Sequence, residues 1–344
     1  MKRVAVLGAT GYSGIELLKL LAAHGGTEVS AVSADKNAGQ PLDKVIPSLK
    51  GFYKLTCQRI EQLFDMNFDA VFLALPHEQS ASIGHKFLKS NTVVIDISAA
   101  FRIKDPDQFK KWYGFETSSE LSGIAVYGLP ELKREAIKRS RLIANPGCYP
   151  TGAIIPIAPF LKRKIIKNKG IIIDAKSGVT GAGRSPSQEL HFSEVNEGFK
   201  AYKPASHRHI PEIEQELSEI SGGTGITFVP HLVPMNRGIF TTVYAVADSK
   251  NIKQSELEDT LRDAYQQEPF IRVIGTPEMP NVSAVRGSNY IDIAVRYDEK
   301  NSIVILFSAL DNLVKGASGQ ALQNMNIVLG FDEKQGLTAP PLFP

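Results

Sequence analysis

The chain has 344 residues, more than one hydrophobic core comfortably holds, so about two domains are expected. With 43% apolar and 22% charged residues it has the composition of an ordinary globular protein, and a net charge of +3 gives no footprint for nucleic acid. Its two cysteines, Cys57 and Cys148, are too few for a disulfide framework and fit a reducing, cytoplasmic setting. No membrane segment is expected: the longest apolar run, Ala153 to Leu161, falls short of the ~20 residues of a span and carries Pro156 and Pro159. The apolar stretch after Met1-Lys2-Arg3 stops at Gly8 without a small-residue cleavage site, so it does not read as a signal peptide.

Arg3 to Leu7 is a short, partly β-branched apolar run and predicts a buried strand. A glycine-rich turn follows, then Ser13 to His24 with Ile15, Leu17, Leu18, Leu20 and Leu21 at helical spacing. Val29 to Ser33, Ala70 to Leu75 and Thr92 to Ile97 predict further strands, the last two separated by a helix from Gln79 to Lys89. This alternation predicts an α/β fold, a Rossmann-type doubly wound parallel sheet over residues 1–147.

After Cys148 the pattern changes. Ile171 to Ala175, Ile226 to Pro230, Phe240 to Ala247, Tyr290 to Tyr297 and Ile303 to Leu310 read as strands, the last two joined by a hairpin turn at Asp298-Glu299-Lys300-Asn301. A second, α+β domain with a mixed or antiparallel sheet is therefore expected over 148–314, with the catalytic and oligomerisation surfaces. Residues 315–344 are expected to return to the first domain through a helix from about Gly316 to Leu329.

Gly8-Ala9-Thr10-Gly11-Tyr12-Ser13-Gly14 joins the first strand to the first helix. Glycines there permit a tight turn and let backbone approach a pyrophosphate resting on the helix N-terminus. Gly8, Thr10, Gly11, Tyr12, Ser13 and Gly14 are thus candidate dinucleotide contacts. The second strand ends in Ser33, and two readings of the following residues stand: Ser33 and Lys36 suit a 2′-phosphate, whereas Asp35 suits a free ribose hydroxyl. Short-chain dehydrogenases share the G-x-x-G-x-x-G spacing but use a Tyr and a Lys four residues apart. None of the ten tyrosines here has Lys at that offset, which removes that rival.

Asn145-Pro146-Gly147-Cys148-Tyr149-Pro150-Thr151 joins the apolar run Leu142 to Ala144 to a helix expected to begin near Pro150. A cysteine at a helix N-terminus feels the positive end of the dipole, which favours the thiolate needed to attack a carbonyl. Cys57, in Lys54-Leu55-Thr56-Cys57, has no such setting and reads as a buried structural residue.

The glycine turn and the Asn-Pro-Gly-Cys segment together resemble the semialdehyde dehydrogenase group, which reduces acyl phosphates to aldehydes. Within it, the whole chain resembles the N-acetyl-gamma-glutamyl-phosphate reductase family. Matching segments are Asp96-Ile97-Ser98-Ala99-Ala100-Phe101-Arg102, Ser177-Gly178-Val179-Thr180-Gly181-Ala182-Gly183-Arg184, His207-Arg208-His209-Ile210-Pro211-Glu212-Ile213 and Asp311-Asn312-Leu313-Val314-Lys315-Gly316. The resemblance implies a thioester on Cys148, hydride from NADP as cofactor, and His209 as general acid/base with His207 as the alternative. It further implies phosphate binding at Arg102, a secondary substrate contact at Arg184, and cofactor contacts at Ser177, Gly178 and Asn312. It implies no metal, an acyl phosphate as the small-molecule substrate, and a homodimer or homotetramer.

Two departures refine this. Aspartate-semialdehyde dehydrogenases place a histidine shortly after a Val-Pro-Val segment, but here Val233-Pro234-Met235-Asn236-Arg237-Gly238 runs into Ile239, which favours the His207/His209 site over an aspartyl substrate. Asp35 and Lys36 stand where relatives often carry Ser and Arg, leaving the strength of NADP selectivity open. A substrate one methylene longer, an acetylaminoadipyl phosphate, fits the same residues. A non-catalytic nucleotide sensor would have no use for the Cys148 motif.

Overall fold

The computed structural model describes residues 1–88, 92–249 and 251–342, in two units. One comprises Met1–Gly147 and Ala317–Ala339, the other Cys148–Gly316 and the segment from Pro340.

In the first unit, β1 (Lys2–Leu7), β2 (Thr27–Ser33), β3 (Ala70–Leu73), β4 (Val93–Asp96), β5 (Val126–Tyr127) and β6 (Leu142–Ala144) form one sheet in the order β2-β1-β3-β4-β6-β5. Every pairing is parallel. β3, β4 and β6 are buried along their whole length, which is why they read as continuous apolar runs rather than alternating ones. Strands and crossover helices share a core that includes Leu7, Val71, Leu73, Val94 and Phe101. Its helices include α1 (Tyr12–Ala22), α2 (His77–Phe87), α3 (Pro106–Tyr113), α4 (Ser119–Ile124) and α5 (Pro130–Lys138). The predicted end of α2 at Lys89 lies outside the described residues.

The second unit is built on β7 (Ile171–Gly178), β8 (Lys200–Ala201), β9 (Ile226–Val233), β10 (Ile239–Val246), β11 (Ile271–Val273), β12 (Ile291–Asp298) and β13 (Ile303–Leu310). Their order is β11-β12-β13-β10-β7-β9-β8, with β7–β9 and β11–β12 parallel and the other pairs antiparallel. This is the expected mixed sheet, including the β12–β13 hairpin. α6 (Cys148–Lys162) packs on β10, β12 and β13, and α7 (Ile210–Ser221) and α8 (Gln254–Tyr265) pack beside it. On the other face Ile172, Tyr244 and Val246 are exposed.

α6 begins at Cys148, two residues earlier than its expected start near Pro150. Pro150 therefore occupies the third helical position, where an N–H would have no intrahelical partner anyway. Pro156 and Pro159 lie inside the helix, and each removes the donor that would satisfy the carbonyl four residues back. Those two carbonyls are satisfied by side chains from other elements. Ser308 Oγ donates to Gly152 O at 2.6 Å, and Tyr265 Oη donates to Ile155 O at 2.6 Å. The helix that carries Cys148 at its head is thus held by hydroxyls from β13 and α8.

The last helix was expected from Gly316, but Val314–Ser318 forms a π-helical turn and α9 runs Gly319–Leu329. It packs on β4, α1 and α5 and buries Gln320, Gln323, Asn324 and Asn326 as well as its apolar residues.

Candidate active site

In the first unit the turn between β1 and α1 is shaped by missing side chains. Gly8 sits at φ +82, and a Cβ there would strike the Ala74 carbonyl; a Cβ on Gly14 would overlap the Gly8 carbonyl. Gly11 precedes α1 without a side-chain cap, and the first turn has no acidic residue, so the positive end of the helix dipole faces no carboxylate of its own. Thr10, Tyr12 and Ser13 are half-buried around the same turn. The cradle fits a dinucleotide pyrophosphate.

Ser33 is buried and braces this turn: its Oγ accepts from the Gly8 N–H at 3.1 Å and its carbonyl from the Ala9 N–H at 3.0 Å. The Ser33 hydroxyl keeps its own proton to donate, as the expected contact with a 2′-phosphate requires. Asp35 accepts from the Ile60 N–H at 3.2 Å, whereas Lys36 is exposed.

Arg102 is buried. Its Nε donates to Asn145 O at 2.7 Å and its Nη2 to Ile97 O at 2.8 Å, while Asp105 caps α3. Asp96, fully buried, accepts from the Ser98 N–H and Oγ at 3.0 and 2.9 Å. Burial pushes its carboxyl up to about 6, against the Ser98 bonds and the Arg102 charge. Asn145 is fixed in turn by a buried amide network: its Nδ2 donates to Ala317 O at 3.0 Å, and its Oδ1 accepts from Asn324 Nδ2 at 3.1 Å. Asn324 Nδ2 and Gln320 Nε2 also both donate to Gly128 O at 2.8 Å.

In the second unit Cys148 opens into a cavity of about 290 Å³ with Tyr149, Ser177, Tyr202, His207 and His209. Cys148 is half-buried at the first position of α6, where the helix dipole favours its thiolate. Tyr202 Oη donates to Tyr149 Oη at 2.9 Å, and Tyr149 Oη donates to His231 O at 3.3 Å. Burial raises both phenols, Tyr202 to about 12, so both stay protonated.

His207 is boxed by Tyr149 and Tyr202 at 5.6 Å between ring centroids, Phe228 at 5.4 Å and His209 at 4.8 Å. Its Nδ1 accepts from the His209 N–H at 3.1 Å. Burial, with the charges of Lys203 and Arg208 behind it, pushes the imidazole down to about 4. His207 is therefore neutral near pH 7 with its proton on Nε2, and serves as an acceptor for main chain. His209 immediately precedes α7, half-buried, with its ring 5.9 Å from Tyr149.

Cys148, His207, His209, Ser177 and Gly178 thus share one cavity. Arg184 and Asn312 do not line it. Arg184 is exposed beyond the short turn Val179–Ala182, and Asn312 is a buried bridge, accepting from the Gly238 N–H at 2.7 Å and donating to Thr180 Oγ1 at 3.0 Å. Cys57 is buried, and burial raises its thiol. Tyr202, Lys200 and Lys203 escaped the sequence reading; their only signal was closeness in sequence to the His207–His209 pair. Among the described residues no cluster of His, Cys, Asp or Glu forms a metal site, and no helix is long and apolar enough to cross a membrane.

Comparison with known proteins agrees with this architecture. A family model described as the semialdehyde dehydrogenase NAD binding domain matches residues 3–140, and one described as the semialdehyde dehydrogenase dimerisation domain matches 148–312. The chain is 46% identical over 347 aligned positions to the N-acetyl-gamma-glutamyl-phosphate reductase of Geobacter sp. (strain M21), covering 100% of both chains. It is 44% identical to that of Clostridium kluyveri, covering 99% of each. Among solved structures, aspartate semialdehyde dehydrogenase II of Vibrio cholerae shares the fold at a TM-score of 0.72 with 17% identity, covering 96% of this chain and 98% of that one. The aspartate semialdehyde dehydrogenase of Candida albicans, solved with NADP, superposes at a TM-score of 0.71 with 16% identity, again covering 96% and 98%. By sequence over its full length, the chain belongs to the N-acetyl-gamma-glutamyl-phosphate reductase family of the semialdehyde dehydrogenase group.

Proposed function

We propose that this protein reduces N-acetyl-gamma-glutamyl phosphate to N-acetylglutamate 5-semialdehyde and phosphate, a step of arginine biosynthesis, through a thioester on Cys148. The observation that carries the reading is a helix-head cysteine sharing a basic cavity with His209, in a chain so similar to reductases of that name.

The Cys148 thiolate attacks the acyl carbon, the C–O bond to phosphate breaks, and phosphate leaves with the electron pair. Arg102 is assigned to the phosphoryl oxygens, its planar fork preorganised by two main-chain carbonyls. NADPH, when bound, would supply the hydride that reduces the thioester. His209 gives a proton to the oxygen that becomes anionic and takes it back as the C–S bond breaks, so aldehyde departs and the thiolate returns. His207, neutral and spent on the His209 N–H, holds the base in place. For the cofactor, Gly8, Thr10, Gly11, Tyr12, Ser13 and Gly14 hold the pyrophosphate. Lys36, with Asp35 engaged by Ile60, favours a 2′-phosphate and hence NADP. The exposed apolar side chains of β7 and β10 are suited to self-association, and a cytoplasmic homodimer or homotetramer is the assembly we assign.

Steady-state oxidation of N-acetylglutamate 5-semialdehyde with phosphate and NADP tests the reading. The homologue one methylene longer is measured beside it, a difference worth ~1–3 kcal/mol in a pocket. Preference for the longer aldehyde would reassign the substrate, and turnover of neither would overturn the proposal.

A further inference from the structure

The cavity beside Cys148 carries more positive charge than the chemistry at sulfur uses. Lys200, Lys203 and Arg208 line it with one carboxylate, Glu189. Glu189 is already engaged, accepting from Lys200 Nζ at 3.0 Å, and Arg208 has a partner of its own within the protein. Among the described residues the Lys203 ammonium makes no hydrogen bond or ion pair. Its charge reaches His207, whose protonation it opposes.

The backbone at Lys203 is unusual as well. Lys203 has φ +46 and Ala205 φ +51, on either side of Pro204. Left-handed conformations at residues with a Cβ cost on the order of 1–3 kcal/mol each and persist only where the surroundings impose them. β9 imposes this one. The Tyr202 N–H donates to Pro230 O at 3.0 Å and the Ala205 N–H to Phe228 O at 3.0 Å, clamping the turn on both sides of the lysine.

We propose that Lys203 binds the α-carboxylate of the substrate and thereby selects N-acylated amino-acid derivatives. This rests on the reading that the cavity takes an N-acetylated acyl phosphate, and adds to it the residue that reads the end remote from the sulfur. An N-acyl amino acid presents there one carboxylate and one neutral amide. Lys203 offers the cation for the first. A free α-ammonium would instead meet three cations and a carboxylate already tied to Lys200, so acylation of the nitrogen removes a like-charge clash.

The test compares wild type, Lys203→Met and Lys203→Arg in the full-length enzyme. Each oxidises N-acetylglutamate 5-semialdehyde and its analogue without the α-carboxylate, 4-acetamidobutanal, with phosphate and NADP. Lys203→Met should lower kcat/KM for the carboxylated aldehyde at least about fivefold, mainly through KM, as expected for a lost charge-assisted contact. The same substitution should cost 4-acetamidobutanal far less, the KM for phosphate should hold, and Lys203→Arg should recover most of the loss. A smaller fall, or equal falls with the two aldehydes, would overturn the assignment. If wild type turns over 4-acetamidobutanal but not the carboxylated aldehyde, the substrate reading itself fails and Lys203 loses its ligand with it.

Discussion

The turn that opens α1 and the turn that leads into the His207–His209 pair are built by opposite means. Between Gly8 and Gly14 the chain omits side chains, so that backbone crosses backbone closely and the helix N-terminus is left uncapped, a cradle that fits a pyrophosphate. Between Tyr202 and His209 it does the reverse. Residues with side chains are forced into left-handed conformations and boxed with aromatic rings, so that an ammonium and two imidazoles are set around Cys148. The first plan can be read locally, because a glycine's reason lies within a few residues. The second depends on β9 and α6, which come from elsewhere in the chain. Backbone recognition suits a cofactor common to many enzymes, and side-chain recognition suits a particular substrate.

The largest expected effect lies on the substrate side. Cys148→Ala should abolish turnover while NADPH still binds, as fluorescence titration would show, because no thioester can form. Intact-mass measurement with the acyl phosphate should find one adduct in Cys57→Ala and none in Cys148→Ala; an adduct that survives loss of Cys148 would break the assignment. Next in size, His209→Asn should slow turnover by roughly 10²–10⁴ yet still trap acyl-enzyme when NADPH is withheld. His207→Asn should be much milder, and equal losses at the two histidines would refute the division of labour between them.

On the cofactor side, Gly14→Ala drives a Cβ into the Gly8 carbonyl, an overlap worth roughly 1–3 kcal/mol. NADPH affinity should fall at least about tenfold for such a cost, while acylation of Cys148 without cofactor proceeds at the wild-type rate. Acylation falling in step with affinity would show that the two plans are not separable. The smallest effect concerns pH. His207 is held near 4 in the fold against 6.5 as an ordinary value, so the unfolded chain binds the extra proton between them. Stability from this residue is complete above about 6.5 and is lost as pH falls toward 4, on the order of 3 kcal/mol at most. The unfolding midpoint of His207→Asn should therefore depend less on pH across that window than that of wild type.

Much of the fold was legible because its strands are long or wholly apolar: each expected strand occurs, with ends displaced by no more than three residues. β8, two residues long, has no periodicity to read, and the π-helical turn at Val314–Ser318 shifts a helix start without any composition signal. At the site, Cys148 and the His-Arg-His segment stood out because a helix head and a motif are local. Asn312 and Arg184 were drawn from resemblance alone. The first is a bridge between Gly238 and Thr180, visible only once distant segments meet. That the His207 imidazole accepts from main chain could not be read from sequence either, since the bond depends on the turn of the chain between His207 and His209. Tyr202 and Lys203 went unread for the same reason: β9 gives them their conformation.

The amide network beneath α9 has a consequence for synthesis. Asn324 bonds Asn145 across 179 residues of chain, and Gln320 bonds Gly128 across 192. At ribosomal speeds of about 5–20 residues per second, the surface that awaits α9 stays uncovered for roughly ten to forty seconds after its own strands have emerged. During that interval the polar atoms of Gly128 and Asn145 have water as their partner, and the neighbouring apolar surface of β4 has none. A chain that ends before residue 319 lacks the helix that supplies these amides, however complete the sheet of its first unit may be.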